Sequence, residues 1–364
     1  MIHVLLGTKA QYLKTAPLLW RFDQQAVHYR LIDVGQHARF SVGLRSELGI
    51  RSPDLLLGAD RDVTSIPQAV VWSSGLAGRI FSKRRLRAEV FADSPGLAVV
   101  HGDTPSTLLS ALMARRAGLP VAHLEAGLRS GHLLHPFPEE LIRVLVMRWS
   151  DLLFAPDAVA AANLKRMGLR GRVIRLAGNT SLETLRRDLG DAAPAGSGPA
   201  VVTMHRVENL HRRRRVAGML GLVERISAAG PVVFVLHEPT IAALARRGDQ
   251  HRLAAVGVEL MPLQPHGVFT RMLSAARLVV TDGGSIQEEC ALLGVPTLLW
   301  RGSTERPDGI GANVVLSRYR PEVVDRFLAD PDRYRRPLQN PVVSPSEQIF
   351  SVLIEASGEG ARAV

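Results

Sequence analysis

A chain of 364 residues, 46% hydrophobic and 22% charged, is long enough to build two cores and too polar throughout to hold a bilayer-crossing run. Its one cysteine, Cys290, excludes an internal disulfide and suits a reducing cytoplasm, and its opening stretch has neither the basic region nor the apolar length of a signal peptide. The net charge of +11 invites a nucleic-acid reading, but Lys9, Lys14, Lys83 and Lys165 are the only lysines and the densest basic run, His211 to Arg215, has no aromatic residues to stack on bases; we read a solvated helix start, and a field suited to an anionic small molecule.

Short apolar runs alternate with amphipathic, helix-length segments. Strands are expected at IHVLLG, YRLIDVG, LAVVHG, PVAHLEA and LLFAP in the first half, and at VIRLAG, PAVVTMH, PVVFVLH, VELMPL, RLVVTDGG and PTLLWRG in the second. Continuous apolar strands separated by helices predict parallel sheets covered on both faces, and there are too many strands for one sheet. The expected class is α/β: two doubly wound Rossmann-like domains facing a cleft, residues 1–170 and 171–343, with a helix in 344–360 packing back on the first. The stretch DAAPAGSGPA, 191–200, reads as a surface loop.

The first strand empties into GTKAQYLK, which lacks the glycine patterns of dinucleotide and nucleoside-triphosphate loops but places Lys9 and Lys14 at a strand-to-helix turn that favours anions. LAVVHGDT delivers Asp103 to the carboxyl end of a buried strand, and VAHLEAGLRS delivers Glu125 to the end of the next, with Gly127 allowing a tight turn. In HPFPEELIR, Pro138 suits a first helical turn, where Glu139 and Glu140 stabilise the helix start with or without a catalytic role. Three converging acids, Asp103, Glu125 and Glu139, would make general acid–base equipment, because clustered carboxylates push one another's pKa values apart. His205 and His237, each closing an apolar strand, add groups poised near neutrality or serve only as satisfied structural histidines. In TDGGSIQEE, Gly284 opens the backbone, Ser285 and Glu288 are expected to form a capping box over a diphosphate cradle, and Glu289 could accept a ribose hydroxyl pair. Arg306 follows in RGSTERPDG.

Taken in order and spacing, HGDT, HLEAGLRS, PFPEELIR, GNT, HRVEN, TDGGSIQEE and STERPD resemble the non-hydrolysing UDP-N-acetylglucosamine 2-epimerases over nearly the whole chain. The resemblance implies a two-domain fold like that of B-type glycosyltransferases, no metal or nicotinamide cofactor, and a homodimer acting on a nucleotide-sugar. It also implies inversion at the second sugar carbon, by proton removal with loss of UDP to a 2-acetamidoglucal and re-addition with protonation from the other face. On that pattern Asp103, Glu125 and Glu139 are the acid–base set and His205 assists departure of the diphosphate. Lys9, Lys14, Arg143, Ser285 and Arg306 would neutralise UDP, with His237, Gly284 and Glu289 on the binding side.

Several positions depart from the family. Lys9 stands for its arginine and Gln11 for its glutamate, Val207 for an arginine, Gly283 for a serine and Ile142 for an asparagine, and LHEPT is shortened. Gln36 and His37 resemble a pair from the family's allosteric pocket, but Ala38 and Arg39 do not continue the match. Because the changes fall on the anion side and the acids remain, other readings stay open: a hydrolysing epimerase, epimerisation of another sugar phosphate, a B-type glycosyltransferase, or a non-catalytic sensor.

Overall fold

The structure is a computed structural model that describes residues 1–36, 38–58, 68, 72, 75, 82–131, 138–190, 196–245, 248–304, 306–339 and 342–358, with 38–41 described by backbone alone. It divides into two units, Met1–Thr184 with Pro341–Val364, and Leu185–Asn340. The first holds a parallel sheet of β1 (Ile2–Leu6), β2 (Tyr29–Asp33), β3 (Leu55–Leu56), β4 (Leu97–His101), β5 (Val121–Leu124), β6 (Leu152–Ala155) and β7 (Arg172–Arg175), in the order β3-β2-β1-β4-β5-β6-β7. The second holds β8 (Ala200–Thr203), β9 (Val232–Leu236), β10 (Val258–Pro262), β11 (Val279–Thr281), β12 (Thr297–Leu299) and β13 (Val314–Leu316), ordered β10-β9-β8-β11-β12-β13 and also parallel.

Continuous apolar strands arise because each sheet is covered on both faces. Ile2, Val4 and Leu6 pack with Leu18, Leu19 and Phe22 of the helix Lys9–Gln24, whereas Leu5, between them, packs with Ala111 and Ala114 of the helix Pro105–Ala117. In the second unit Val202, Phe234 and Val280 meet Val216, Met219 and Val223 of the helix Arg213–Ala228, while Leu299 and Val314 meet Ala291 on the other side. Strand order reverses between β1 and β4 in one sheet and between β8 and β11 in the other, and such reversals open a crevice at the carboxyl ends of the strands.

The division of the chain differs from the expected boundary at 171. VIRLAG is not the first strand of the second unit but the edge strand β7 of the first, paired in parallel with β6. The next segment is tied to the first unit too: the hydroxyls of Thr180 and Thr184 donate to the carbonyls of Lys14 and Leu13 at 2.6 and 2.7 Å. Of the loop expected at 191–200, residues 191–195 lie outside the described residues. The helix Pro345–Ser357 is part of the first unit: Ile349 and Leu353 enter its core, and Arg21 pairs with Glu347 and donates to Ser344 and Ser346. Among the described residues no helix is long and apolar enough to cross a membrane.

Candidate active site

β4 and β5 run side by side with His101 opposite Leu124, so the residues that follow them, Asp103 and Glu125, leave neighbouring strand ends at the first reversal. Glu125 sits at φ 61°, a left-handed conformation that costs a non-glycine residue about 1–3 kcal/mol and that functional sites often hold. Two residues on, Gly127 takes φ 94°, and a Cβ there would lie 2.4 Å from the carbonyl oxygen of Ala160, so both backbone and space demand glycine. The Glu125 carboxylate accepts from Lys14 Nζ at 2.5 Å and from Asn179 Nδ2 at 3.3 Å, and its other oxygen lies 3.6 Å from His101 Nε2. His101 is itself held through Nδ1, 2.9 Å from the Thr15 hydroxyl. Lys14 is therefore a buried partner of Glu125, while Lys9 stands exposed at the first residue of the same helix.

Gln11 joins the two loops of this reversal. Its amide oxygen accepts from the backbone N–H of Gly7 and Thr8, and its amide nitrogen donates to the His101 carbonyl at 2.8 Å and to the hydroxyls of Thr104 and Thr107 at 3.0 and 2.8 Å. An ionised glutamate, the family's usual residue here, has no donor for that carbonyl. The turn bearing Asp103 is thus fixed by an amide that this sequence carries instead. Gln36 accepts from the N–H of Ser106 at the start of the following helix, and His37 lies outside the described residues.

Asp103 takes Nε and Nη2 of Arg143 on one oxygen at 2.6 and 2.5 Å. The third nitrogen, Nη1, reaches Glu140 at 3.1 Å, and Glu140 also accepts from Arg129 Nε at 2.5 Å and Ser130 N–H at 3.1 Å. Burial opposes the charge on Arg143, but Asp103 and Glu140 outweigh it and raise its pKa. Burial likewise works against the Glu140 carboxylate, and Arg129, the Ser130 N–H and Arg143 together bring its pKa below the ordinary value. Glu139 opens the helix Glu139–Trp149, and its Oε2 is buried with no hydrogen-bond partner among the described residues.

His123, fully buried in β5, donates from Nε2 to the Gly102 carbonyl at 2.7 Å, and burial lowers its pKa to about 4. The unfolded chain therefore takes up a proton near 6.5 that the folded chain refuses until about 4, and stability is lost as pH falls through that window and is unaffected above it. Urea unfolding at pH 7 and 4.5 should show an acid-induced loss that shrinks by about 2 kcal/mol in His123→Gln.

In the second unit the reversal brings together the ends of β8 and β11, whose Thr203 and Thr281 hydroxyls lie 2.7 Å apart. Asp282, fully buried, accepts from the N–H groups of His205 and Arg206 and from Asn209 Nδ2 at 2.9–3.1 Å, which fixes the turn after β8. His205 stacks on His237 with ring centroids 4.5 Å apart, and burial lowers its pKa, with Asp282 opposing. A Cβ on Gly283 would stand 2.8 Å from Cε1 of His205, so the absent side chain makes room for the ring.

The capping box expected from Ser285 and Glu288 does not form. The helix runs Gly284–Leu293 with no side-chain cap, because its N-cap is Gly283, two residues before Ser285. Glu288 instead pairs with Arg306 at 2.7 Å, and Ser285 is exposed in the first turn. Uncapped N–H groups at a glycine-opened helix start still suit an anion. Glu289 lies 3.6 Å from His266 Nε2, whose Nδ1 is 2.7 Å from Asp188. The basic run opens the helix Arg213–Ala228, where Arg215 stacks over Tyr319 at 4.3 Å. No group of three or more His, Cys, Asp or Glu among the described residues could hold a metal ion.

Sequence reading named Gln11 only as a departure from the family and Glu140 only as a helix-start acid, and it assigned no role to His101, to Asp282 as a turn clamp, or to His266. Gln11, Asp282 and His266 reach partners 70 or more residues away, whereas Glu140 meets Arg129, Ser130 and Arg143 within 11 positions.

The UDP-N-acetylglucosamine 2-epimerase family model matches residues 21–339. The UDP-N-acetylglucosamine 2-epimerase of Bacillus subtilis is 31% identical over 356 residues, 92% of this chain and 89% of that one. The UDP-2,3-diacetamido-2,3-dideoxy-D-glucuronate 2-epimerase of Pseudomonas aeruginosa is 28% identical, covering 89% and 90%. The crystal structure of the UDP-GlcNAc 2-epimerase from Neisseria meningitidis bound to UDP-GlcNAc is similar in fold, with TM-score 0.79 at 24% identity over 97% of this chain and 99% of that one. Matched by the family model over most of its length, and by a relative of that identity and coverage, the chain belongs to the UDP-N-acetylglucosamine 2-epimerase family and is an isomerase of its non-hydrolysing kind.

Proposed function

We propose that the substrate is UDP-N-acetylglucosamine and that Asp103, Glu125 and Glu139 move the proton at its second carbon. The observation that supports this most is the pair of carboxylates on adjacent strand ends, each held by its own cation, Asp103 by Arg143 and Glu125 by Lys14. One carboxylate removes the proton while the C1–O bond breaks, and its electron pair leaves with UDP, giving the 2-acetamidoglucal. A protonated acid returns a proton to the opposite face as UDP adds back, so no atom is gained or lost. The open helix start at Gly284 and Ser285, with Arg306, takes the diphosphate, Glu289 the ribose, and His205 with His237 assists departure of UDP. Lys9, exposed at its helix start, adds a phosphate contact. On the resemblance we assign a cytoplasmic homodimer. Burial pushes the Cys290 thiol up to about 12, which keeps it out of the chemistry.

Proton NMR in deuterated water tests the reaction and the substrate together. UDP-N-acetylglucosamine should gain deuterium at its second carbon as UDP-N-acetylmannosamine appears. Release of free N-acetylmannosamine would mean that water intercepts the glycal, and absence of exchange would exclude this substrate. UDP-2,3-diacetamido-2,3-dideoxy-D-glucuronate, the sugar named for the Pseudomonas relative, is the next to try.

The placement of His205 is tested at the glycine beside it. Gly283→Ala puts a methyl group where Cε1 lies at 2.8 Å, so the ring must shift. The φ of −82° suits alanine, so stability should hold. We expect kcat/KM to fall about tenfold or more, since a 1 Å misplacement can cost that much. Unchanged kinetics would remove His205 from the chemistry.

A further inference from the structure

We propose that His266 is a positioning residue for the nucleotide: anchored by Asp188, it aims Glu289 so that the second carboxylate oxygen receives the ribose hydroxyls. The proposal rests on the reading of Glu289 as the ribose acceptor. Three helices meet here, and the residues that face one another, Asp188, His266 and Glu289, all lie in the second unit. Asp188 comes from the last turn of the helix Ser181–Leu189, His266 opens the helix His266–Ala275, and Glu289 lies within the helix Gly284–Leu293. Nδ1 of His266 is 2.7 Å from Asp188 Oδ2, and Nε2 is 3.6 Å from Glu289 Oε1. Asp188 is fixed in turn by Arg271, whose Nη1 donates to its carbonyl at 2.9 Å.

A neutral imidazole has one N–H and could serve only one of the two acids, so an arrangement with a carboxylate at each nitrogen calls for the cation. Burial opposes that charge, but Asp188 and Glu289 overcome it and bring the His266 pKa up to about 9. The imidazolium holds one oxygen of Glu289. The other, Oε2, is buried and meets no hydrogen-bond partner among the described residues. An ionised oxygen left without a donor is costly, and a vicinal diol supplies two. Glu289 also lies one helical turn beyond Ser285, so diphosphate cradle and diol acceptor share one helix face at roughly 5–6 Å spacing, as a nucleoside diphosphate requires. Without the imidazolium, no other group among the described residues holds Oε1, and the flexible side chain is free to turn away.

Calorimetric binding of UDP and of 2′,3′-dideoxy-UDP to the purified enzyme reads the diol directly. The wild type should prefer UDP by about tenfold or more, the worth of a hydrogen bond to a charged group. Glu289→Gln should lose most of that preference, and His266→Leu should lose it as fully, with KM raised and kcat within about threefold of wild type by the same hydrogen-bond argument. Asp188→Asn, which weakens the anchor without emptying it, should fall between and serves if His266→Leu does not fold. A preference that survives Glu289→Gln overturns the ribose reading itself. A preference lost in Glu289→Gln but kept in His266→Leu, or in Asp188→Asn if that is the variant that folds, overturns the positioning role and leaves the ribose reading standing.

Discussion

Asp103→Asn should lower kcat by about 10³-fold or more while fold and UDP affinity survive, because positioned acid–base groups contribute factors of this order. The asparagine oxygen can still accept from Arg143, whose Nε and Nη2 now converge on one carboxylate oxygen, so the turn after β4 keeps its main tether. What disappears is the ability to take or give a proton. Deuterium incorporation from solvent should fall in step with epimerisation, since both need the same transfer. The variant's UDP affinity and thermal transition provide the controls. Turnover within tenfold of wild type would reduce Asp103 to a structural partner of Arg143. The same logic applies to Glu125→Gln, with one difference: Lys14, buried beside it at 2.5 Å, would lose the charge of this carboxylate as well.

Both the architecture and the places where side chains converge were legible because they follow from strand composition. Runs such as LAVVH can be apolar throughout only when both faces of the sheet are covered, and a parallel sheet that reverses its order concentrates function at the carboxyl ends. That logic reached Asp103, Glu125 and His205 from sequence alone. It could not reach the groups that hold them, since these contacts have no local period: Gln11 meets the His101 carbonyl across 90 positions, and Asp282 meets the His205 N–H across 77. The misplaced capping box has the same origin. Ser285 and Glu288 have the right spacing, but Arg306 claims Glu288 from a distant loop and the helix begins earlier. The boundary near 171 failed for a subtler reason. As an edge strand β7 is only half buried, and its Arg172 and Arg175 are exposed, so nothing in its composition ties it to the strand before.

Glu140 shows how a residue explained by a local rule can carry a larger load. An acid in the first turn of a helix contributes about 0.3–1 kcal/mol through the helix dipole, and sequence alone offers no more than that. In the structure Glu140 is fully buried and takes two guanidinium groups and a backbone N–H, while the side chain of Arg143 is itself only 9% exposed. Glu140→Ala would strand that arginine with Asp103 as its remaining carboxylate. Breaking a buried pair from one side costs about 3–5 kcal/mol when the charge left behind has no partner; Arg143 keeps Asp103, so the loss should sit near the lower end, about 2–3 kcal/mol. We expect denaturant unfolding to register a loss of that size. Turnover should drop along with it, since Arg143 positions Asp103. Arg129 is 23% exposed on its side chain and can turn to water, so Arg129→Ala should cost less. The lowered pKa of Glu140 means that its contribution is intact at neutral pH and is lost as acid protonates the folded carboxylate below 4.5. If Glu140→Ala costs no more than Arg129→Ala, the burial of Glu140 carries no uncompensated charge and the dipole account suffices. If it costs several times more and slows turnover as well, the same ion-pair chain that stabilises the first unit also aims its acid.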